Sequence, residues 1–589
     1  MKTTLRIQPE GRTLAVAPGS LLSEALEDAG IAISLYCGGR GVCGKCFVEI
    51  VRGRLDDPSE EERALRKRRA LPPSYRLACR CPIGGDLVVR VPSASRLPQM
   101  PVLDRGVRRT LALDPAVRKI RLTRPSPDLA EPRAFLDALA EKIPGSRLPE
   151  SLRALKDMAL PAGGEGPDAD VTAVLYRGRD WLAVEPGDTT GRSFGLAVDL
   201  GTTTMVVELI DLETGTAVDS AAGLNPQVKF GADVVSRITA AFAEPGKLEA
   251  LRASVVDGLN ALIEGLLAKN GAVRETVYEA VVAGNTAMSH LFCGMPVATL
   301  AVSPYSALFS ILPSLPADDT GLAIHPRGRV YLAPAIQSFV GGDIAAGLAA
   351  VDLAHQPGNH LFIDLGTNGE IVVKKGRRFT TTSTAAGPAF EGMTISCGML
   401  ALPGAVYKAA FRPEGVSVET IGGLPAKGVC GTGLIDLIAG ALDSGLLSSQ
   451  GQILSPSKTI PVAAELALSQ RDVREVQLAA AAVKTGVRML LEENAITTAD
   501  LDGIYVAGAF GNYLNISHSV KLGLLPRFDR RRIRFVGNSS LAGARALLLS
   551  QVERARCETL AKRVRHVSLA QGAAFQDRFI DALEFKPWA

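Results

Sequence analysis

Two stretches of this chain set an acidic residue at the end of an apolar run and follow it with a Gly-Thr turn. The first is Ala197-Val198-Asp199-Leu200-Gly201-Thr202-Thr203-Thr204-Met205-Val206-Val207. The second, Phe362-Ile363-Asp364-Leu365-Gly366-Thr367-Asn368-Gly369-Glu370-Ile371-Val372, repeats the design 165 positions later, counted from Asp199 to Asp364. Each reads as strand, tight turn, strand. Gly201, Gly366 and Gly369 allow close backbone approach, so amide N–H groups can face phosphate oxygens. Thr202, Thr203, Thr204, Thr367 and Asn368 add donors, and Asp199 and Asp364 can hold Mg2+ through water. Neither turn continues into Gly-Lys-Ser/Thr, so neither is a P-loop. One such turn could be an ordinary hairpin; the matched pair predicts a duplicated, two-lobed ATPase core with its phosphate site between the lobes.

A second chemistry lies near the N-terminus. Of nine cysteines, five fall within residues 37–81. Cys37-Gly38-Gly39-Arg40-Gly41-Val42-Cys43-Gly44-Lys45-Cys46 spaces three thiols as C-x5-C-x2-C in a loop with four glycines. Crowding of this kind, in a chain expected to be cytoplasmic, points to metal before disulfide. With a fourth thiol from Arg76-Leu77-Ala78-Cys79-Arg80-Cys81, the set can surround one iron–sulfur cluster. The glycines turn N–H groups towards the sulfurs and so favour the reduced state. Zinc sites favour two Cys-x-x-Cys knuckles, whereas this chain has one knuckle and two outlying thiols. Spacing leaves open whether Cys79 or Cys81 is the fourth ligand. Cys293, Cys397, Cys430 and Cys557 are scattered and read as structural thiols.

The elements that must carry these residues are partly legible. Leu5 and Ile7, then Leu14 and Val16, predict two strands; Ser20 is placed to cap a helix over 21–29, and a strand follows over 47–51. Ser59-Glu60-Glu61-Glu62 reads as a capping box opening a second helix. Pro92, Pro98 and Pro101 punctuate a linker. Strands over 110–113, 119–122 and 171–176, with helices over 132–143 and 149–158, predict a small α/β middle domain that carries no chemistry of its own. Further on, Asp211 to Gly215 predicts a hairpin turn, and the leucine stripe over 246–270 an amphipathic core helix. Val281 to Thr286 and Phe339-Val340-Gly341-Gly342-Asp343 each predict a strand ending in Gly plus a polar residue, which sets Asn285 and Asp343 beside a nucleotide. Gly428 to Leu434 and Val506 to Asn512 put Gly431, Gly508 and Gly511 where an adenosine would lie against backbone.

Composition bounds the rest. The 589 residues, 47% apolar and 21% charged, are those of a multidomain globular chain with ample core. A net charge of +4 gives nucleic-acid binding no support. The run Arg66-Lys67-Arg68-Arg69 reads as a solvated helix face, with docking to an acidic partner as the alternative. There is no signal-peptide core at the start, and no apolar run approaches the roughly 20 residues that span a bilayer, so a cytoplasmic location without membrane contact is expected.

The four thiols resemble those of the 2Fe-2S ferredoxins, nearer the adrenodoxin-type and fused bacterial modules than the plant type, on a β-grasp fold. That resemblance puts the fourth ligand in an Arg-Leu-x-Cys sequence, hence Cys79. The order of phosphate turns and Gly loops resembles the acetate and sugar kinase, heat-shock 70 and actin superfamily. With Asn225-Pro226-Gln227, Ala385 to Gly392 and Gly508-Ala509-Phe510-Gly511, nearly the whole chain resembles the reductive activators of corrinoid-dependent methyltransferases. A related subgroup carries C-terminal four-iron clusters; only Cys557 stands in that region here, so the chain falls outside it.

The resemblance implies domains at 1–94 (ferredoxin), 95–104 (linker), 105–190 (middle) and 191–589 (actin-like ATPase). It implies ATP-dependent one-electron reduction of cob(II)alamin to cob(I)alamin on a partner corrinoid protein, fed by an upstream low-potential donor, and it admits a homodimer. Cys37, Cys43, Cys46 and Cys79 would hold the cluster. Asp199, Asp364 and Glu370 would manage Mg2+ and water, while the turn residues, Asn285 and Asp343 surround the phosphates. Clusters of this type sit near about −400 mV, and the Co(II)/Co(I) couple lies lower. Each ~60 mV uphill costs about 1.4 kcal/mol per electron, which is the need for ATP. Other readings are an actin-fold small-molecule kinase, which leaves the ferredoxin without a role, and an ATP-driven donor to another low-potential metalloenzyme. A nucleotide-switched binding protein with the cluster as redox sensor is a further one.

Overall fold

The computed structural model describes every residue except 1–2, 32, 34–38, 40, 42–43, 69–70, 93–94, 97–106, 108, 124–133, 159–169, 464, 509–513, 569–572 and 589. The chain forms two compact units: residues 1–100 with 224–255, and residues 101–223 with 256–589.

The chain opens with β1 (Thr3–Gln8), β2 (Arg12–Val16), α1 (Leu22–Asp28), β3 (Phe47–Arg52), α2 (Glu60–Arg68), β4 (Tyr75–Leu77) and β5 (Leu87–Arg90). The sheet runs β2-β1-β5-β3-β4, with β1 and β5 parallel at its centre. Alternation drives Leu5, Ile7, Leu87 and Val89 onto one face, where Leu22 and Leu26 of α1 cover them. This is the expected β-grasp. Ser59 accepts from the Glu62 N–H at 3.2 Å and so starts α2. The buried Glu62 carboxylate then ties α2 to β4 through Arg76 Nε (2.9 Å) and the Leu77 N–H (2.8 Å). Ser20 is not the cap of α1. Its carbonyl accepts from the Ile83 N–H at 2.9 Å and Leu21 bridges to Pro82, so pairing with the 82–83 segment delays the helix to Leu22.

A small antiparallel sheet follows from β6 (Val117–Thr123), β7 (Asp170–Tyr176) and β8 (Asp180–Pro186), with α3 (Phe135–Glu141) and α4 (Leu152–Met158). The expected strand over 110–113 does not form. That segment meets the Leu549–Gln551 turn instead, where the Asp114 N–H donates to the Leu549 carbonyl at 2.8 Å, and it has no strand alongside it.

The first lobe begins with β9 (Phe194–Leu200), β10 (Thr204–Asp211) and β11 (Ala217–Leu224). Next, in the first unit, Asn225 caps a short turn by accepting from the Gln227 N–H at 3.0 Å. Gln227 Nε2 donates to the Leu251 carbonyl at 2.9 Å, and the fully buried Arg237 donates to the Gly231 carbonyl at 2.9 Å and to Gln227 Oε1 at 3.3 Å. Asn225-Pro226-Gln227 is thus a structural knot that fastens α5 (Val234–Ala243) and α6 (Lys247–Lys269). The lobe is completed by β12 (Val277–Gly284), α7 (Thr286–Phe292), α8 (Ala298–Ala301), β13 (Leu315–Pro316), α9 (Ala317–Thr320), β14 (Arg329–Leu332) and α10 (Gly342–Ala350). Residues 339–341 are not a strand: a Gln337–Val340 bridge closes a turn that delivers the chain straight into α10.

The second lobe contains β15 (His360–Leu365), β16 (Gly369–Lys375), β17 (Arg378–Thr384), a side sheet of β18 (Ala405–Arg412), β19 (Gly415–Thr420) and β20 (Gly428–Val429), and α11 (Gly431–Asp443). A hairpin of β21 (Thr459–Ala463) and β22 (Leu466–Ser469) leads into α12 (Gln470–Glu493), β23 (Gly503–Gly508), α13 (Ile516–Lys521) and β24 (Ile533–Gly537). The chain ends with α14 (Ser539–Leu549), α15 (Gln551–Arg563), β25 (Arg565–His566) and α16 (Ala573–Ala582).

The duplication is explicit in the sheets. One contains β11-β10-β9-β12-β14 and the other β17-β16-β15-β23-β24, the same order of third, second, first, fourth and fifth strands. Helices α10 and α14 cross at Ala346 and Gly543, where a side chain on Gly543 would strike the Ala346 carbonyl. Their apolar faces (Ile344, Leu348, Leu541, Leu548) share one core with Ala197 and Val281 of the first sheet and Phe362 and Val372 of the second. No helix among the described residues is long and apolar enough to cross a membrane.

Candidate functional site

Each turn is what its strand register leaves over. Leu200 pairs with Met205, so residues 201–204 form the first turn; Leu365 pairs with Gly369, so residues 366–368 form the second, one residue shorter. A Cβ on Gly201 would lie 2.6 Å from the Thr204 carbonyl, so this bend requires glycine. The turns meet. Thr203 Oγ1 lies 3.4 Å from Thr367 Oγ1, and both hydroxyls donate to the Glu391 carboxylate, Thr203 to Oε2 at 2.7 Å and Thr367 to Oε1 at 2.8 Å. Beside them Asn285 caps α7, accepting from the Met288 N–H at 2.9 Å and donating to Thr202 Oγ1 at 3.0 Å. β12 is parallel to β9, which brings Asn285 level with the first turn.

Four carboxylates stand around the turns, all deeply placed. Asp199 ends β9 and accepts from Asn538 Nδ2 and Ser540 Oγ, each at 2.8 Å, from the N-terminus of α14. Asp343 opens α10 and accepts from the Ile344 N–H at 2.8 Å. Asp364 and Glu370 face each other across the β15–β16 pair. Burial raises all four. It holds Asp199 above the ordinary range against its two hydrogen bonds, lifts Asp343 to about 7 with the Asp199 charge adding, and lifts Asp364 to about 8 with Asp343 and Asp199 adding. Glu370 is raised well above the usual value by burial and by the charges of Asp343 and Asp364. Such a group calls for a cation. Among the described residues no three such side chains converge on one metal position.

These residues enclose a cavity of about 160 Å3, below the roughly 300–1,000 Å3 of whole-ligand pockets and scaled to a phosphate end. Asp199, Gly201, Thr202, Thr203, Thr204, Asn285, Asp343, Asp364, Gly366, Thr367, Asn368, Glu370 and Gly508 all line it. Gly369 sits behind, packed between Thr384 of β17 and Val483 of α12. Gly431 opens α11 and does not line the cavity; Gly511 lies outside the described residues. Among the lining residues that had no place in the sequence reading of the site, three make side-chain hydrogen bonds to it: Glu391, Asn538 and Ser540. Asn538 and Ser540 gave no signal. Glu391 did give one, as the single acid in Ala385 to Gly392.

In the ferredoxin module Cys37 and Cys43 lie outside the described residues. Cys46 Sγ and Cys79 Sγ are 3.4 Å apart. Two thiolates on one tetrahedral metal at about 2.3 Å would lie roughly 3.8 Å apart, so this pair fits a shared metal with a shift of a few tenths of an ångström. Gly39, Gly41 and Gly44 hold φ of +76°, +76° and +63°, the left-handed backbone that wraps such a loop. Cys81 is fully buried in the module's core, and burial pushes its thiol up to about 12.

The fold and site define a two-lobed ATPase of the acetate and sugar kinase, heat-shock 70 and actin class joined to an iron–sulfur ferredoxin module. Comparison with known proteins resolves the family. Residues 358–588 match the C-terminal domain of RACo, the ASKHA domain; residues 194–356 match the RACo middle region; residues 5–84 match the 2Fe-2S iron-sulfur cluster binding domain. The chain is 30% identical to the corrinoid activation enzyme RamQ of Eubacterium limosum, over 96% of both chains. It is 28% identical to the Co(II) methylated amine-specific corrinoid protein reductase of Methanosarcina barkeri, over 67% of this chain and 77% of that one. It superposes on the solved reductive activator for corrinoid, iron-sulfur protein with a TM-score of 0.74 and 33% identity, covering 99% of this chain and 98% of that one. The chain belongs to the RACo family of reductive activators.

Proposed function

We propose that this protein binds MgATP between its two turns and uses it to drive one-electron reduction of a Co(II) corrinoid, carried by a partner protein, to the Co(I) state. The observation that carries this reading is the relation to RamQ, a corrinoid activation enzyme, over 96% of both chains, in a chain whose two turns meet around one cavity and whose Cys46 and Cys79 stand side by side. One electron leaves the module and one reaches cobalt, so the step balances without protons. An iron–sulfur cluster of the 2Fe-2S type supplies that electron when bound, and Cys37, Cys43, Cys46 and Cys79 would hold it. An upstream low-potential donor refills it.

The ATPase residues divide the remaining work. Thr202, Thr203, Thr204, Thr367, Asn368 and the turn amides donate to phosphate oxygens, while Asp199 and Asp364 hold the waters of Mg2+. Glu370 orients the attacking water, and Gly431, Gly508 and Gly511 face the adenosine. ATP can shift the lobes only by its different affinity for their two arrangements. Because the turns belong to different lobes, a phosphate held by both has that difference built in. A small-molecule kinase would use the same fold but leave Cys46 and Cys79 idle.

The test mixes anaerobically reduced protein with MgATP and a Co(II) corrinoid protein and follows cluster oxidation against Co(II) loss. Wild type and Cys81→Ser are expected to carry a cluster and to consume one Co(II) per electron, while Cys79→Ser loses both. A reduced, cluster-loaded protein that leaves every corrinoid partner unreduced would overturn the function. A cluster lost in Cys81→Ser and kept in Cys79→Ser would overturn the ligand set.

A further inference from the structure

Thr203 and Thr367, one from each lobe, are buried residues (5% and 8% exposed), and both hydroxyls donate to the same acid, Glu391. We propose that Glu391 holds the place of ATP's terminal phosphoryl group and is exchanged for it when ATP binds. This rests on the nucleotide reading above and adds to it the residue that the nucleotide must displace.

The geometry favours exchange over coexistence. A carboxylate and a phosphoryl group are both oxyanions that accept two hydrogen bonds side by side, so one donor pair serves either. The two hydroxyl oxygens are only 3.4 Å apart, and the turns therefore converge on one anion. Glu391 Oε1 also lies 3.8 Å from where a Cβ on Gly366 would stand, so the carboxylate rests against the second turn itself. A phosphate arriving there meets a negative charge on its own donors. It enters only as Glu391 leaves, and the connection between β17 and β18 that carries Glu391 must move with it. Gly387 and Gly392, at φ of +76° and +75°, bracket that part of the connection. The terminal group is singled out because it must touch both turns, whereas ADP ends one phosphate short. Glu391 thereby makes the site respond to the triphosphate rather than to nucleotide in general.

The test measures Mg-dependent affinities of the full, cluster-loaded chain for ADP and for a non-hydrolysable ATP analogue. Removing the competitor in Glu391→Ala, and its charge in Glu391→Gln, is expected to tighten analogue binding by roughly tenfold or more, the worth of one charge-assisted hydrogen bond. ADP binding should change far less. In wild type, amide hydrogen exchange over 385–392 should rise with the analogue and not with ADP. Analogue affinity that is unchanged or weaker in both variants, with ADP binding intact, overturns the proposal. So does an equal gain for both nucleotides, or, where a variant does not fold, wild-type exchange that is unaltered by the analogue. A wild type that binds neither nucleotide would instead sink the nucleotide reading itself.

Discussion

Asp364 and Glu370 show how one residue pair can be costly alone and useful with a partner. Facing each other across two strands, Asp364 half-buried and Glu370 buried, they are raised by loss of water first and by neighbouring acids second. In the proposed complex a magnesium-bound phosphate would supply what the protein withholds. Lys484, within α12, shows the opposite sign. Burial, then the charges of Lys586 and Arg488, lowers it from 10.5 to about 8. Its ammonium therefore costs the folded state stability throughout the range below pH 8. Between pH 8 and 10.5 the unfolded chain binds the additional proton, so stability from this group rises with pH and the penalty is gone above 10.5. Lys484→Met is expected to raise the melting temperature at pH 7 and to raise it much less at pH 10. An equal gain at both values would show that the charge is not what Lys484 contributes.

At the scale of elements, the site is assembled by helix starts pressed against strand ends. Gly341, just before α10, lies on the backbone of Asn285 and Thr286, and any side chain there would strike Asn285 Cα. Gly341→Ala forces α10 away from the β12–α7 junction, and overpacking of this kind costs about 1–3 kcal/mol. The expected result is nucleotide affinity down by roughly tenfold with every carboxylate and hydroxyl still present; unchanged affinity in a calorimetric titration would contradict the close-approach account. The turns were legible in the sequence because their chemistry is local, with glycine, threonine and acid in consecutive positions. Glu391 was not assigned because its meaning comes from Thr203, which stands 188 positions away in the chain and meets it only after both lobes form. The same limit explains residues 110–113, whose strand-like alternation has no strand beside it, and Ser20, whose backbone is taken by Ile83. Asn225-Pro226-Gln227 stood out as a motif, yet only Gln227's bond to Leu251 and Arg237's to Gln227 show that it builds structure.

At the scale of the molecule, the chain carries a ferredoxin module and a two-lobed ATPase, each with a core of its own. In the ATPase, α10 and α14 join two like sheets, and the turns sit on different lobes. The module has its own sheet and its own buried ion pair, Arg76 with Glu62. Neither half alone explains their presence on one chain. The proposed coupling would, since on this reading electron transfer to a couple below the cluster runs uphill and nucleotide binding could offset it. The decisive measurement follows Co(I) absorbance after mixing reduced protein with a Co(II) corrinoid protein, with and without MgATP, in wild type, Cys79→Ser and Asp364→Ala. Co(I) should accumulate only with MgATP and only in wild type, with Asp364→Ala keeping a reducible cluster that no longer delivers its electron. Equal accumulation without nucleotide, or undiminished accumulation in Asp364→Ala, would contradict the coupling of the two sites.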